Sequence, residues 1–190
     1  MDSEKKTAAE CADDQGSLLV LALLAPFAGA VTGFVAVIFR LALQRLDSLR
    51  STAIGGAFAG FLFVVVLCAA ATALAAWLVR RYSPDAAGSG IPGVESVLDG
   101  ELAPAPYRLI PVKFFGGLLA IGSGLALGRE GPSVQMGASV AHFLAGLFRR
   151  EEQGCRALLA AGAGAGLASG FNAPIPGTAA PSYLESKSLF

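Results

Sequence analysis

Charge is what this sequence has least of for its size. Only 15% of its 190 residues are Asp, Glu, Lys or Arg, against 54% hydrophobic, and the mean hydropathy is +0.62. That is too apolar for an ordinary soluble domain and points to an all-α, polytopic membrane protein. The charges present cancel, 14 basic against 14 acidic, and no Lys/Arg run is long, which excludes nucleic acid as a partner. Cysteine is scarce and odd in number. Cys11, Cys68 and Cys155 are widely spaced, and Cys68 lies inside an apolar run, so neither a disulfide framework nor a zinc ligand set is expected. Histidine is scarcer still: His142 stands alone, which argues for a core or interface role rather than a proton relay and leaves the metal class empty. A cleavable signal is lacking too, because residues 1–16 are polar and mostly acidic and the apolar run after them is too long for a signal core. Residues 1–16 read as an uncleaved polar tail.

What is there is apolar length. Residues 18–39 carry no formal charge, enough to span a bilayer core at roughly 20 residues per crossing, with Pro26 inside, and the helix is expected to continue through Arg40, Arg45 and Arg50. Residues 53–79 form a second uncharged stretch that ends on Arg80-Arg81-Tyr82, an interfacial anchor pattern. Gly29/Gly33 in the first and Gly56/Gly60 in the second have the small-xxx-small spacing that lets helices approach closely. The basic residues of the intervening connection match those of its flanks, so charge does not orient the spans. From Ser83 onward Gly and Pro break the chain into a loop, a brief helix, and an apolar run over 109–128 interrupted by Pro111 and Lys113. Gly162, Gly166 and Gly170 fall at four-residue spacing on one face of a later helix, a packing surface and not a nucleotide fingerprint, so no cofactor is expected.

Within this apolar background, Gly128-Arg129-Glu130-Gly131-Pro132 places a carboxylate between two uncharged stretches, 114–128 and 131–148. Each is too short or too Gly-interrupted for a simple span, and two half-helices meeting near mid-membrane fit better. An intramembrane acid is costly and therefore a functional candidate. Glu130 either occupies an anion site at a positive helix end and leaves on protonation, or pairs structurally with Arg129; adjacent helix positions point apart, which disfavours the pair. Gly88-Ser89-Gly90-Ile91-Pro92 sets a hydroxyl between two glycines just before a helix start, which is anion-site chemistry when a second such helix end is present and an ordinary turn when it is not. Ser89 lacks a nucleophile elbow and a nearby histidine, so no enzyme is expected.

Three blocks in order, Gly-Ser-Gly-Ile-Pro (88–92), Gly-Arg-Glu-Gly-Pro (128–132) and Gly-Phe-Asn-Ala-Pro (170–174), resemble the voltage-gated chloride channel and chloride/proton antiporter family. The resemblance covers residues 17–175. It implies an inverted-repeat membrane fold of which most of the first repeat is present and the second is missing, an integral multi-pass location in the inner or plasma membrane, and chloride and protons as partners besides lipid. It further implies that Ser89, Gly90 and Ile91, with Gly128, Arg129 and Gly131, form one side of an anion site, and that Glu130 is its gating glutamate and proton carrier. The serine is chloride-like, since nitrate- and fluoride-selective relatives tend to depart from it. Glu95 and Lys113 match charged family positions and are expected to form a buried ion pair.

Residues 176–190, with two prolines and three serines, do not continue the family pattern and read as a non-family, disordered or frame-shifted tail. The resemblance implies a homodimer for the full-length family, but the helices that usually form the dimer interface and the far side of the site have no counterpart in the sequence, so the chain is expected to be an inactive fragment. The alternative is a non-transporting helix-packing or assembly subunit.

Overall fold

The computed structural model describes residues 2–54, 58–148 and 152–173, with side chains from residue 21 onward except those of 53–59 and 149–153. Six α-helices follow one another: α1 Asp2–Ile54, α2 Phe58–Tyr82, α3 Ile91–Leu98, α4 Leu109–Gly122, α5 Glu130–Leu147 and α6 Glu152–Phe171, with a short 3-10 turn at Pro84–Ala86. No strand occurs among the described residues.

The two apolar stretches are the two long helices. Within α1 and α2, Leu21–Thr52 and Gly60–Tyr82 have mean hydropathies of 2.2 and 2.6, and only 22% and 11% of their most apolar windows is buried. Both helices are long and apolar enough to cross a membrane, and most of their surface is uncovered. On α1 a single stripe, Leu24, Ala28, Thr32, Ala36, Phe39 and Leu43, faces the protein, while Leu23, Phe27, Phe34, Val37 and Leu41 face outward. The three- and four-residue steps of that stripe are the helical repeat. Pro26 stays inside the continuous helix. On α2, Val64 and Ala75 are buried and Phe61, Phe63, Val66 and Trp77 are exposed. Trp77 meets Tyr82 edge-on at 5.9 Å beside Arg80 and Arg81, the anchor cluster expected at a helix end.

Helix α5 is the centre of the bundle. Every residue from Gly131 to Ala141 is buried, so its surroundings are protein on all sides. Leu24 and Ala28 of α1, Val140, Ala141, Leu144 and Ala145 of α5, and Leu158 of α6 form one apolar cluster. Val94 of α3 joins Val134 and Ala138 of α5 and Leu159 and Ala163 of α6 in a second. Phe39, Leu43 and Met136, with Phe114, Leu118 and Ile121 of α4, form a third.

The α5–α6 seam is made by glycine. A Cβ on Gly162 would run into the carbonyl oxygen of Gly137, one on Gly137 into the carbonyl of Gly162, and one on Gly166 into the carbonyl of Ser133. At this approach only hydrogen fits, and close backbone contact supplies the dispersion attraction that lipid-embedded helices lack otherwise. The expected packing face of 162, 166 and 170 is therefore real, and its partner is α5. The Gly29/Gly33 pair is not a comparable seam: a Cβ on Gly29 would touch Ala165 Cβ at an ordinary 3.9 Å, and nothing lies within 4 Å at Gly33. Gly56 lies outside the described residues, as does the tail 176–190.

The run over 109–128 is not one helix. It ends at Gly122, and residues 123–129 form an irregular connection before α5 starts at Glu130. Gly124 at φ 94° marks the break, a left-handed conformation that costs glycine little.

Candidate functional site

The first block is a loop whose conformation only glycine tolerates. Gly88 and Gly90 have φ of 72° and 86°, and Ser89 is held between them. Gly90 is also the N-cap of α3, with Pro92 in the first turn, where the missing N–H costs nothing. No side chain caps the helix, so its first N–H groups keep their donor capacity. Two side chains brace the loop from outside. Lys113, only 4% exposed, donates from Nζ to the carbonyl oxygens of Ala86 at 2.9 Å and Gly88 at 2.8 Å. In a trans peptide the N–H of Ser89 lies anti to the Gly88 carbonyl, so it is turned away from Lys113. Gln135, one helical turn into α5, donates from Nε2 to the Asp85 carbonyl at 2.8 Å and lies where a Cβ on Gly90 would go, 2.6 Å from its Cδ.

The second block starts α5 directly against the first. A Cβ on Gly131 would collide with the carbonyl oxygen of Ser89 and come within 2.9 Å of its carbon, so glycine sets the distance between the two helix starts. Arg129 is the N-cap, again without a side-chain cap, and its carbonyl accepts from the Ser133 N–H at 3.3 Å and Oγ at 2.9 Å. Glu130 is the first residue of α5. Its carboxylate folds back over Gly128, where a Cβ would meet Oε2.

The third block closes α6. Asn172 takes φ 55° and the Ala173 N–H reaches back to the Ala168 carbonyl at 3.0 Å, a Schellman ending with asparagine in the place glycine usually holds. That turn puts Gly170 under Glu130, whose Cα lies 3.2 Å from a Cβ built there. Pro174 lies outside the described residues.

All three blocks line one cavity of about 720 Å³. Ser89 and Ile91, Gly128, Glu130 and Gly131, and Phe171 share it with Lys113 of α4 and Thr72 of α2. Five of the seven residues expected at the anion site and gate are thus brought to one space. Gly90 and Arg129 are not among its lining: Gly90 is buried behind Ser89 as the helix cap, and the Arg129 side chain is exposed. Two uncapped helix N-termini, α3 and α5, start beside the cavity, and each carries a partial positive charge from its aligned peptide dipoles.

The expected Glu95–Lys113 ion pair is not made. Among the described residues the one ion pair is Arg50–Asp47. Lys113 satisfies its buried ammonium with two carbonyl oxygens of the loop instead, and Glu95, half-buried on α3, does not line the cavity. The physical reason is geometric. The loop presents two carbonyls to Lys113, and peptide oxygens turned away from water need a donor as much as the lysine needs acceptors. The Arg129–Glu130 pair is likewise absent. Gln135 was not anticipated from the sequence, although a lone amide in the apolar run 131–148 was the available signal.

A family model described as voltage gated chloride channel matches residues 71–180. The chain is 43% identical over 161 residues to the H(+)/Cl(-) exchange transporter ClcA of Vibrio parahaemolyticus, covering 82% of this chain and 34% of that protein. It is 43% identical over 167 residues to the ClcA transporter of Vibrio cholerae, covering 85% of this chain and 35% of that protein. The chain therefore spans about a third of the length of the curated relatives it matches. Among solved structures, a slow cyanobacterial Cl-/H+ antiporter superposes with a TM-score of 0.79 at 37% identity, over 84% of this chain and 38% of that one. A CLC-type fluoride/proton antiporter superposes with a TM-score of 0.72 at 29% identity, over 85% of this chain and 38% of that one.

Proposed function

Because the chain belongs to the voltage-gated chloride channel family, whose model matches as far as residue 180, we propose that residues 17–175 form one wall of a chloride pathway, with residues 1–16 a polar tail and the segment outside the transport unit starting no earlier than residue 181. The observation that carries this reading is the convergence of three separate sequence blocks on one cavity between two helix N-termini. The Ser89 hydroxyl and the free N–H groups at the starts of α3 and α5 hold a partly dehydrated anion without a full positive charge at contact, which keeps binding weak enough for release. Ile91 and Gly131 shape the space, Gly128 leaves room for the acid, and Arg129 adds long-range positive potential from the exposed side. Glu130 competes for the anion's place while ionised and vacates it on protonation, which links proton movement to chloride. Chloride is favoured by Ser89 and by the exchangers the chain resembles.

The protein sits in the inner or plasma membrane with the outer faces of α1 and α2 in lipid. Ser89 and Gly128 are exposed, and polar helix ends do not face hydrocarbon. A further polypeptide wall must cover them, so these 190 residues alone do not pass chloride. An assembly subunit is the weaker reading, since Gly162 and Gly166 are already used inside the chain. The test is reconstitution. Liposomes holding the chain alone should match empty ones in chloride efflux, and adding the complementary part of a Vibrio exchanger should raise efflux with accompanying proton movement. In that setting Glu130→Ala should keep chloride flux and lose proton coupling. Efflux from the chain alone, or proton coupling that survives Glu130→Ala, would refute the reading.

A further inference from the structure

Gln135 stands behind the loop that carries Ser89. It lines a second cavity of about 160 Å³ with Asp85 and Ser139, and not the cavity that holds Ser89 and Glu130, so it acts on a bound anion only through the loop. Its amide is used at one end. Nε2 donates to the Asp85 carbonyl at 2.8 Å, while Oε1 has no hydrogen-bond partner although the residue is only 6% exposed. A buried amide with an orphan acceptor carries a cost that methionine or leucine in the same space would not, so packing alone does not account for a glutamine here. What glutamine adds is the donor. The carbonyl it holds belongs to the 3-10 turn Pro84–Ala86, whose own bonds run from the Ala86 N–H to Ser83 and from the Ala87 N–H to Pro84. Lys113 of α4 takes the carbonyls of Ala86 and Gly88, and Gly131 of α5 packs against that of Ser89. Gln135 bounds the far end of the loop as well, since its Cδ and Cβ lie 2.6 and 2.8 Å from where a Cβ on Gly90 would be. It follows Glu130 on the same helix, displaced along the axis by a rise of about 7.5 Å.

We propose that Gln135 is a positioning residue for the anion site: it fixes the Ser89 loop to the helix that carries Glu130, and thereby sets affinity and selectivity for chloride. The inference rests on the chloride-pathway reading of that cavity. Held at the carbonyls of Asp85, Ala86 and Gly88, the loop has little freedom to turn, so the Ser89 hydroxyl and the first N–H groups of α3 keep one spacing. A fixed spacing favours a small spherical anion over a larger, linear one such as thiocyanate. Released at Asp85, the loop must be ordered by the anion it binds, and that lost preorganisation weakens binding.

The experiment has one arm on the full chain alone and one on the chain complemented for transport. In detergent, Gln135→Met keeps the bulk against Gly90 and removes the donor, so amide deuterium exchange at Ala86 and Ala87 should quicken by about fivefold, with the α6 glycine segment unchanged. In liposomes with the complementary part of a Vibrio exchanger, the same substitution should raise the chloride KM by about fivefold, what one neutral hydrogen bond is worth. The limiting flux should hold, and thiocyanate flux should rise relative to chloride. A loss of folded protein would instead lower the limiting flux and move neither KM nor selectivity. Ser139→Ala, on the same face of α5 and beside the same second cavity, should leave both as they are. Helicity by circular dichroism checks folding, and Gln135→Leu takes the place of Gln135→Met if that chain does not fold. Unchanged loop exchange, an unchanged KM and selectivity in an assembly that transports, or an equal effect of Ser139→Ala would overturn the role of Gln135 alone. An unsubstituted assembly without chloride flux would overturn the pathway reading and this inference with it.

Discussion

Replacing Lys113 with methionine keeps a long apolar stem and deletes the ammonium, which isolates its two hydrogen bonds to the loop before α3. Lys113 is 4% exposed and bonds the carbonyls of Ala86 and Gly88 at 2.9 and 2.8 Å, so both oxygens lose a donor together. Hydrogen bonds to a charged group are worth about 1.5–3 kcal/mol each in folded proteins, which sets a ceiling of about 3–6 kcal/mol for the pair. Unfolded states in a membrane-like phase re-pair their polar groups, and interhelical bonds there average about 0.6 kcal/mol, which sets a floor near 1.2 kcal/mol. Relief of the buried charge offsets part of the loss. The expected destabilisation is therefore about 1–4 kcal/mol, measured by unfolding in mixed detergent. The same measurement on Glu95→Gln and on the double variant closes a cycle. Carbonyl partners predict additivity within about 0.5 kcal/mol, as for residues that share no contact. A coupling above about 1 kcal/mol would refute the carbonyl-braced loop and restore the Glu95–Lys113 pair.

Glycine substitutions should separate by location. Gly162→Leu meets the Gly137 carbonyl and Ala141, and overpacking of this kind should cost at least about 1–3 kcal/mol in the same assay. Gly33→Ala has nothing within 4 Å and should be neutral or stabilising by up to about 1 kcal/mol, and a large loss there would contradict the exposed face of α1. Spin labels at Phe63 and Val64 test the lipid face of α2. Phe63 is 68% exposed and Val64 7%, so collision with membrane-dissolved oxygen should be high at the first and low at the second, with equal values counting against the helix's rotation.

The membrane class and the two long helices were legible in composition and run length, because a bilayer demands apolar length and little else of a span. Helix ends were less legible. Nothing in a count of uncharged residues marks Gly122 as the end of α4, since Ser123 and Gly124 are as uncharged as the helix before them. The glycines of α6 could be read as a packing face, but their spacing carries no information on which helix they pack against. For the site, the three blocks contain their chemistry in local order, which is why Ser89 and Glu130 could be nominated before any fold was known. The charged pair failed for a different reason. Two opposite charges in an apolar sequence suggest each other, while a backbone carbonyl competing for the same lysine has no letter in the sequence.

What the sequence by itself determined is therefore the apolar length and the chemistry: two helices long and apolar enough to cross a bilayer, glycines wherever backbone must approach backbone, a hydroxyl and an acid at two helix starts. Tertiary structure alone decided the company these groups keep. The carbonyl of Ser89 lies against Gly131, residues more than forty positions apart, because a glycine at each meeting point lets α5 enter the bundle bare. The same packing put Lys113 on loop carbonyls instead of on Glu95, and His142 beside Cys155. Contacts between distant segments are set by how helices pack as bodies, and that depends on shape summed over many residues and on no residue read singly.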